Sequence, residues 1–182
     1  MQLVRSAEPG HPIARSVNPV DLIALVPSLV DLLIDNVGAG GALGFLPPLD
    51  PDEARSYWLS LAPDLREGRR VLVGAFMQGR IIGCGQLAIP VWPNARHRAE
   101  IQKLVVSRSM QGQGVGRFLV TALHDVARQR GRTLVLLHAR PDGVAYHLYE
   151  TMGYKRVGLV PGYSRGPSGE GIDSVAMYCE LA

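Results

Sequence analysis

Residues 104–119 contain the residue types of a phosphate-binding turn. Their sequence, LVVSRSMQGQGVGRFL, takes a short β-branched strand into a glycine-rich turn that opens an amphipathic helix. Gly112, Gly114 and Gly116 let the backbone turn its amides inward, where a side chain would block close approach. The helix adds four unpaired N–H groups and the positive end of its dipole. The stretch therefore predicts a site for the diphosphate of a cofactor or substrate.

Two common nucleotide-binding patterns do not fit this turn. A Walker A loop ends in Gly-Lys-Ser/Thr, but here Gly116 is followed by Arg117 and Phe118. A dinucleotide fingerprint has Gly-x-Gly-x-x-Gly near the first strand, with an acid about 20 residues further on. This chain has Gly-x-Gly-x-Gly past its middle, with Arg117 in the third glycine position. The turn therefore binds another phosphate ligand, or it is a glycine-rich turn without function.

Length and composition indicate one globular unit. With 182 residues the chain can bury a full core, so we expect a single domain over residues 1–182. Hydrophobic residues make up 47%, which argues against disorder. Asp and Asn interrupt the apolar residues 20–37, and the N-terminus lacks a secretory apolar region. We therefore expect no membrane partner.

Charge and cysteine content exclude further classes. The net charge of +3 is mild, and the basic clusters at residues 66–70 and 96–98 carry no interleaved aromatics. No helix-turn-helix or zinc-ligand spacing is present, so we expect neither nucleic acid nor metal. The only cysteines, Cys84 and Cys179, do not suggest a disulfide framework, which fits a reducing cytoplasm. Cys84 is expected to be a buried core residue rather than a nucleophile.

Hydrophobic periodicity and turn residues divide the chain into elements. We expect helices at residues 19–37 (kinked by Pro27), at residues 50–67, from the glycine turn to about residue 130, and from about Asp142 through Met152. We expect strands at residues 3–5, 71–77, 80–90, 99–106, 134–138, 155–160 and 172–181. This order predicts a mixed α/β or α+β fold with one βαβ crossover near its middle.

Two motifs carry a resemblance to a known family. Gln111, Gly114 and Gly116 match the pattern Gln/Arg-x-x-Gly-x-Gly, and residues 148–154, LYETMGY, match Tyr-Glu-x-x-Gly-Tyr/Phe at the end of a helix. Together they resemble the GCN5-related N-acetyltransferase (GNAT) superfamily, whose element order the whole chain follows. Residues 99–106 and 156–163, and the loop with Gly44 and Phe45, look like the corresponding parts of tabtoxin-resistance acetyltransferases.

The resemblance implies a fold and a cofactor. The fold is α+β, with a mostly antiparallel twisted sheet of about six or seven strands and about four flanking helices. The strand before the glycine turn splays at a bulge, and the backbone of Leu104, Val105 and Val106 pairs with the pantetheine arm of acetyl-CoA. The pyrophosphate binds the residues that follow, namely Gln111, Gly112, Gln113, Gly114, Val115, Gly116 and Arg117. Arg117 also fits an ordinary surface residue of the helix.

The resemblance also implies the catalytic groups. Acetyl transfer needs a deprotonated amine, and Glu100 matches the base, although a solvated carboxylate paired with Lys103 or Arg98 fits too. Tyr149 matches the acid that protonates the leaving thiolate, with a packed helix aromatic as the alternative. Asp142 is a second carboxylate candidate, but it fits a helix N-cap equally well. His138, at the end of a buried strand, is expected to be a satisfied core histidine.

These expectations combine into a function. The chain is expected to move an acetyl group from acetyl-CoA directly to a primary amine of a small molecule, such as a toxin, an antibiotic or an amino-acid-like amine. The Val105–Val106 backbone would steady the oxyanion. The alternatives are a protein N-terminal or lysine acetyltransferase and a non-catalytic acyl-CoA sensor. Substrate selection is expected in residues 37–48, the Trp92 turn and residues 162–171. Dimers are frequent in this superfamily, so a homodimer is one option.

Overall fold

The protein is described from a computed structural model, which covers Val4–Arg5 and residues 11–181. Its strands are β1 (Val4–Arg5), β2 (Ile13–Val17), β3 (Arg70–Met77), β4 (Arg80–Ala88), β5 (Arg98–Val106), β6 (Leu134–Ala139), β7 (Lys155–Arg165) and β8 (Gly171–Glu180). Its helices are α1 (Pro19–Gly38), α2 (Pro51–Ser60), α3 (Ala62–Glu67), α4 (Val115–Gln129) and α5 (Val144–Thr151). Short 3₁₀ turns lie at Pro93–Ala95 and Arg108–Met110.

The described strands form one sheet in the order β1-β2-β3-β4-β5-β6-β8-β7. Every neighbouring pair is antiparallel except β5 and β6, which are parallel. A parallel pair needs a crossover connection, and α4 provides it. The expected mixed α+β fold with a mostly antiparallel sheet and one central crossover is confirmed.

One strand was missed by the sequence pattern. β2 has the sequence IARSV, whose two polar residues hide its alternation, although Ala14 and Val17 are buried. The Arg15 guanidinium lies 4.4 Å from the centroid of the Phe76 ring and its Nη1 lies 3.1 Å from Asp21 Oδ2. A polar strand is stable here because its charged side chain packs on an aromatic ring and is paired. The first expected strand includes Leu3, which lies outside the described residues.

The second expected helix is divided in two. Asp50 caps α2 as expected, since Oδ1 accepts from the amides of Asp52 and Glu53, and Pro51 occupies the first turn. The helix ends at Ser60 and α3 begins at Ala62. Pro63 explains the break, because its nitrogen has no hydrogen to donate to a preceding carbonyl. The expectation of one continuous helix was therefore wrong.

Helices cover both faces of the sheet and bury two apolar clusters. On one face α4 and α5 pack against inward residues of the strands, including Ala99, Ile101 and Leu137. On the other face α1 and α2 bury a cluster that includes Trp58 and Cys84. Burial raises the pKa of the Cys84 thiol to about 12, so this cysteine is a core residue as expected. Within the described part of the chain, no helix is both long and apolar enough to span a membrane.

A buried hydrogen bond makes the stability dependent on pH. His124 Nε2 on α4 lies 2.7 Å from the Tyr154 hydroxyl, and burial lowers the pKa of His124 to about 4. The unfolded imidazole binds a proton below its usual pKa of about 6.5, while the folded one resists protonation. As the pH falls from about 6.5 to about 4, protonation of the unfolded imidazole should therefore lower the free energy of unfolding by about 3 kcal/mol.

His124→Gln should remove this part of the acid sensitivity, because a glutamine amide can accept from the Tyr154 hydroxyl without titrating. Urea unfolding at pH 7 and pH 4 measures the loss. The wild type should lose more free energy of unfolding than His124→Gln, whereas the exposed His97→Gln should behave as the wild type. Equal losses in all three proteins would contradict the assignment.

Candidate active site

The glycine loop (residues 111–116) joins the 3₁₀ turn after β5 to the start of α4. Gly112 has φ +73° and Gly114 has φ +83°, a left-handed conformation that other residues rarely adopt. Gly114 is the N-cap of α4, and no side chain caps this helix. A Cβ added at either glycine would meet no atom within 4 Å, so the space in front of the helix is open. The first amides of α4 therefore face an open cradle suited to an anion.

Gly116 has a different role from the other two glycines. It lies in the first turn of α4, where an added Cβ would stand 3.1 Å from Leu148 Cδ2 on α5. Its small size thus allows the two helices to pack closely. Arg117 also joins them, since its Nη2 donates to Thr151 Oγ1 at 2.6 Å. The Arg117 side chain holds α4 against α5.

The glutamines of the loop bond inside the protein. Gln111 Nε2 donates to Val106 O at 3.2 Å and to Asn36 Oδ1 at 3.3 Å, while Gln113 Nε2 donates to Ser109 O at 2.9 Å. Asn36 Nδ2 on α1 also donates to Val106 O at 3.2 Å. Gln111 therefore shapes the loop and ties it to β5 and α1. Asn36 was missed by the sequence reasoning, because no local pattern links it to the loop.

A bulge and a gap lie next to this loop, as expected. Cys84 pairs with Val105 and Gln86 with Gln102, so the two residues between on β5 face Gly85 alone. The first of them, Lys103, has φ +50°. On the other side, β5 pairs with β6 only over residues 98–100. Beyond that point the two strands diverge and leave a gap that leads to the glycine loop.

The backbone groups of Val105 and Val106 point to opposite sides of β5. Ser107 N donates to Ile82 O at 2.8 Å. In an antiparallel ladder successive residues point alternately to the two sides, so Val105 bonds toward Cys84 on β4 and Val106 turns toward the gap. Of the two, Val106 is the residue that can offer its N–H to a molecule in the gap.

Glu100 stands at the mouth of the gap, on the face covered by α1 and α2. Its neighbours Ala99 and Ile101 point into the α4 cluster, so Glu100 points to the opposite face. It pairs with Ala88 on β4 and with Leu136 on β6, neither of which ionises. Glu100 Oε1 accepts from Gln102 Nε2 at 3.1 Å. Neither of the described cations suggested as partners, Arg98 and Lys103, forms an ion pair with it.

Behind Glu100 runs a series of hydrogen bonds that we call the polar chain. Arg70 Nη1 donates to Gln102 Oε1 at 2.7 Å and to Gln86 Oε1 at 2.8 Å. Gln86 Nε2 then donates to the Tyr57 hydroxyl at 2.8 Å. Burial raises the pKa of Tyr57 to about 12, so its phenol is neutral. The polar chain thus consists of Glu100, Gln102, Arg70, Gln86 and Tyr57, drawn from three strands and α2.

Residues 39–50 cross above this chain and are held by Lys103. Lys103 Nζ donates to Leu43 O and lies 5.2 Å from the Phe45 ring centroid and 5.5 Å from that of Tyr57. Burial, and then the charge of Arg70, lower the pKa of Lys103. Lys103, at the bulge of β5, therefore connects this strand to the loop of residues 39–50, most of which is expected to select the substrate.

Tyr149 lies on α5 with 4% of its surface exposed, and its ring centroid is 5.3 Å from that of Tyr154. Burial raises its pKa, so the phenol keeps its proton. Among the described residues, none hydrogen-bonds the Tyr149 hydroxyl. The side chain is packed in the core beside Tyr154.

Two further expectations change. Asp142 has φ +56° and is exposed, but the N-cap of α5 is Gly143, which has no side-chain cap, so Asp142 is not the cap. It follows the end of β6, whereas Glu100 pairs within that strand, so the register does not bring the two carboxylates opposite each other. His138 is exposed and stacks on Tyr163 at 4.8 Å, because it faces away from the core that its neighbours fill. The core-histidine expectation was wrong.

Two other segments were expected to select the substrate: residues 162–171 and the turn with Trp92. Tyr163, from residues 162–171, lies with His138 on the same face of the sheet as Glu100. Trp92 precedes the 3₁₀ turn before β5 and is 68% exposed. Within the described residues, no group of three or more His, Cys, Asp or Glu side chains is arranged to hold a metal ion.

Comparisons with known proteins agree with this arrangement. Residues 42–154 match the Acetyltransferase (GNAT) family. Streptothricin acetyltransferase of Streptomyces lavendulae is 27% identical over 180 residues, covering 95% of this chain and 92% of the relative. Two solved structures share the fold. The ribosomal-protein-alanine N-acetyltransferase of Brucella melitensis has a TM-score of 0.74 at 20% identity, covering 92% of this chain and 99% of its own.

The second structure is the yncA protein of Salmonella typhimurium, solved with its cofactor acetyl-CoA. It has a TM-score of 0.72 at 18% identity, with 94% of both chains covered. The family match spans more than half of the chain and includes the bulge of β5, the gap, the glycine loop and helix α5, which carries Tyr149. The protein therefore belongs to the GNAT family of acetyltransferases.

Proposed function

We propose that the protein transfers an acetyl group from acetyl-CoA to a primary amine of a small molecule, in a ternary complex without a covalent enzyme intermediate. One observation carries the proposal: the gap between β5 and β6 connects the open cradle of the glycine loop to Glu100. The relative that acetylates streptothricin supports a small-molecule acceptor. The cytoplasm is the proposed compartment, since acetyl-CoA and reduced thiols occur there together.

The residues present fit the donor molecule. The open space at Gly112 and Gly114 and the uncapped start of α4 would receive the pyrophosphate on the amides of Val115, Gly116 and Arg117. The Val106 N–H, which turns to the gap, would bond the acyl arm and is better directed for it than that of Val105. When bound, acetyl-CoA supplies the activated acetyl thioester. A preformed amide donor near its carbonyl oxygen stabilises the charge that develops there.

Glu100 and Tyr149 would move the two protons of the reaction. An ammonium has no lone pair, so Glu100 takes a proton from the acceptor amine, directly or through water. Its Oε1 is bonded to Gln102, and Oε2 has no hydrogen-bond partner among the described residues. Tyr149 gives its hydroxyl proton to the departing thiolate. Asp142 stays a weaker candidate for a second carboxylate, because it lies past the end of β6 rather than opposite Glu100.

The proposal is tested by following free thiol when the protein is mixed with acetyl-CoA and a panel of amines. The panel contains streptothricin, amino-acid amides, an alkyl amine, an N-terminal peptide and a lysine peptide. Thiol release with small amines supports the proposal. Release with the peptides alone would replace it with a protein acetyltransferase. Saturable CoA binding without release from any amine would instead indicate an acyl-CoA sensor.

Tyr149→Phe should lower kcat about tenfold with little change in KM. The effect is moderate because a thiolate is a weaker base than an alkoxide or amine, so its departure depends less on protonation by a general acid. Because burial raises the pKa of Tyr149, the phenol stays protonated over the assay range and no alkaline limb should come from it. Steady-state thiol release measures both effects. Tyr146→Phe on the same helix is the matched control and should keep the wild-type kcat. An unchanged kcat in Tyr149→Phe would remove its role as acid.

A further inference from the structure

The polar chain is unusual because it lies largely inside the protein and connects directly to Glu100. Gln86 has no exposed surface, and the Arg70 side chain is 21% exposed. Buried polar side chains are costly unless each finds a partner, and here each glutamine uses both ends of its amide. A purely apolar arrangement would avoid this cost. This cost suggests that the polar chain contributes to the function of the site.

Arg70 determines the direction of every hydrogen bond in the chain. A guanidinium only donates, so the two glutamines that it contacts must both turn their carbonyl oxygens toward it. Their NH₂ groups must then point away. The Gln102 amide therefore presents a donor to Glu100, and the Gln86 amide presents one to Tyr57. Without a donor at the position of Arg70, the Gln102 amide is free to turn and present its oxygen to the carboxylate instead.

We propose that Arg70 is a positioning residue which, through Gln102, holds the Glu100 carboxylate with one oxygen bonded to Gln102 and the other left to accept from the acceptor amine. The Gln86–Tyr57 arm anchors Arg70 from the opposite side, and Asp64 Oδ2 lies 3.9 Å from Arg70 Nε. This role rests on the proposed function, because it assigns Glu100 as the base. It assigns a role to four residues for which the sequence analysis predicted none: Arg70, Gln102, Gln86 and Tyr57.

The ionisable groups that face Glu100 are few. The strands on either side contribute Ala88 and Leu136, which carry no charge. On its own strand the same face carries Arg98, two residues before it. The remaining charged or titratable groups on this face are those of the polar chain and the lysine above it, Arg70, Tyr57 and Lys103, and further along the sheet His138, Tyr163 and Tyr178. Gln102 is the group in direct contact, so its replacement has the clearest effect.

The test is steady-state thiol release with one accepted amine, measured with and without Glu100. Gln102→Leu should lower kcat about tenfold with the KM for acetyl-CoA unchanged, because the base loses the hydrogen bond that orients it. Arg70→Met should lower kcat as well, and Arg70→Lys should lie nearer the wild type. In the Glu100→Gln background, Gln102→Leu should have no further effect on kcat. The matched control is Gln129→Leu at the exposed end of α4, which should keep the wild-type kcat.

A merely structural Arg70 would lower the melting temperature without this dependence on Glu100. Equal fractional losses of kcat with and without Glu100, or a wild-type kcat in folded Gln102→Leu and Arg70→Met, would overturn the proposal. Should Arg70→Met fail to fold, a wild-type kcat in Gln102→Leu overturns it alone. Such an outcome in an enzyme that turns over the amine would reject only the positioning role. No turnover of any amine by the wild type would reject the proposed reaction and the positioning role with it.

Discussion

Glu100→Gln is expected to lower kcat/KM for the acceptor amine about 1,000-fold at pH 7, because an amide cannot accept the proton that the amine must lose. The amine becomes deprotonated in solution as the pH rises toward its own pKa. The variant should therefore regain much of its activity at high pH. Thiol release from pH 6 to pH 10 with one amine measures both effects.

Glu53→Gln, in the exposed first turn of α2, is the matched control and should keep the wild-type profile. CoA affinity should also be unchanged in Glu100→Gln, because Glu100 lies at the mouth of the gap rather than at the glycine loop. A profile of the same shape in wild type and Glu100→Gln would remove Glu100 as the base. A loss of CoA affinity in Glu100→Gln would show that the substitution disturbs the strand instead.

Gly114→Val is expected to weaken CoA binding about 100-fold. A β-branched residue at φ +83° is strained by about 1–2 kcal/mol or more, so the loop would leave its conformation. The side chain would also enter the open space in front of the first α4 amides, where the pyrophosphate would bind. Both effects act on the cofactor site. Isothermal titration with CoA measures the change in Kd.

The hairpin turn between β3 and β4 offers a matched control. Gly79 has φ +77°, and a Cβ there would also meet nothing within 4 Å. Gly79→Val should therefore cost a similar amount of folding free energy and leave the Kd for CoA unchanged. Wild-type affinity in Gly114→Val, or an equal loss in both variants, would contradict a phosphate site at the glycine loop.

Much of the fold was predictable because its signals are local. The cap at Asp50, the stop at Gly131 and the turn at Gln78–Gly79 each depend on a few adjacent residues. The glycine loop is of the same kind, since two of its glycines have positive φ and one caps α4. β2 and the position of His138 were not predicted, because distant segments set their environment: β2 is stabilised by its pairing with β3, and His138 stacks on Tyr163. The break between α2 and α3 has a local cause, Pro63, which the helix prediction did not use.

The same distinction between local and distant signals applies to the candidate active site. Glycine spacing indicates a diphosphate site from the sequence alone, because a diphosphate is bound by backbone that adjacent residues shape. The resemblance of this loop and of residues 148–154 to the GNAT family implies acetyl transfer. Arg70, Gln86 and Lys103 could not be assigned in this way. They come within hydrogen-bonding or ring distance of the site only when β3, β4 and the bulge of β5 lie side by side. The sequence thus determined the phosphate site through local backbone chemistry and the class of reaction through family resemblance, whereas the surroundings of Glu100 depend on side chains that meet only across the sheet.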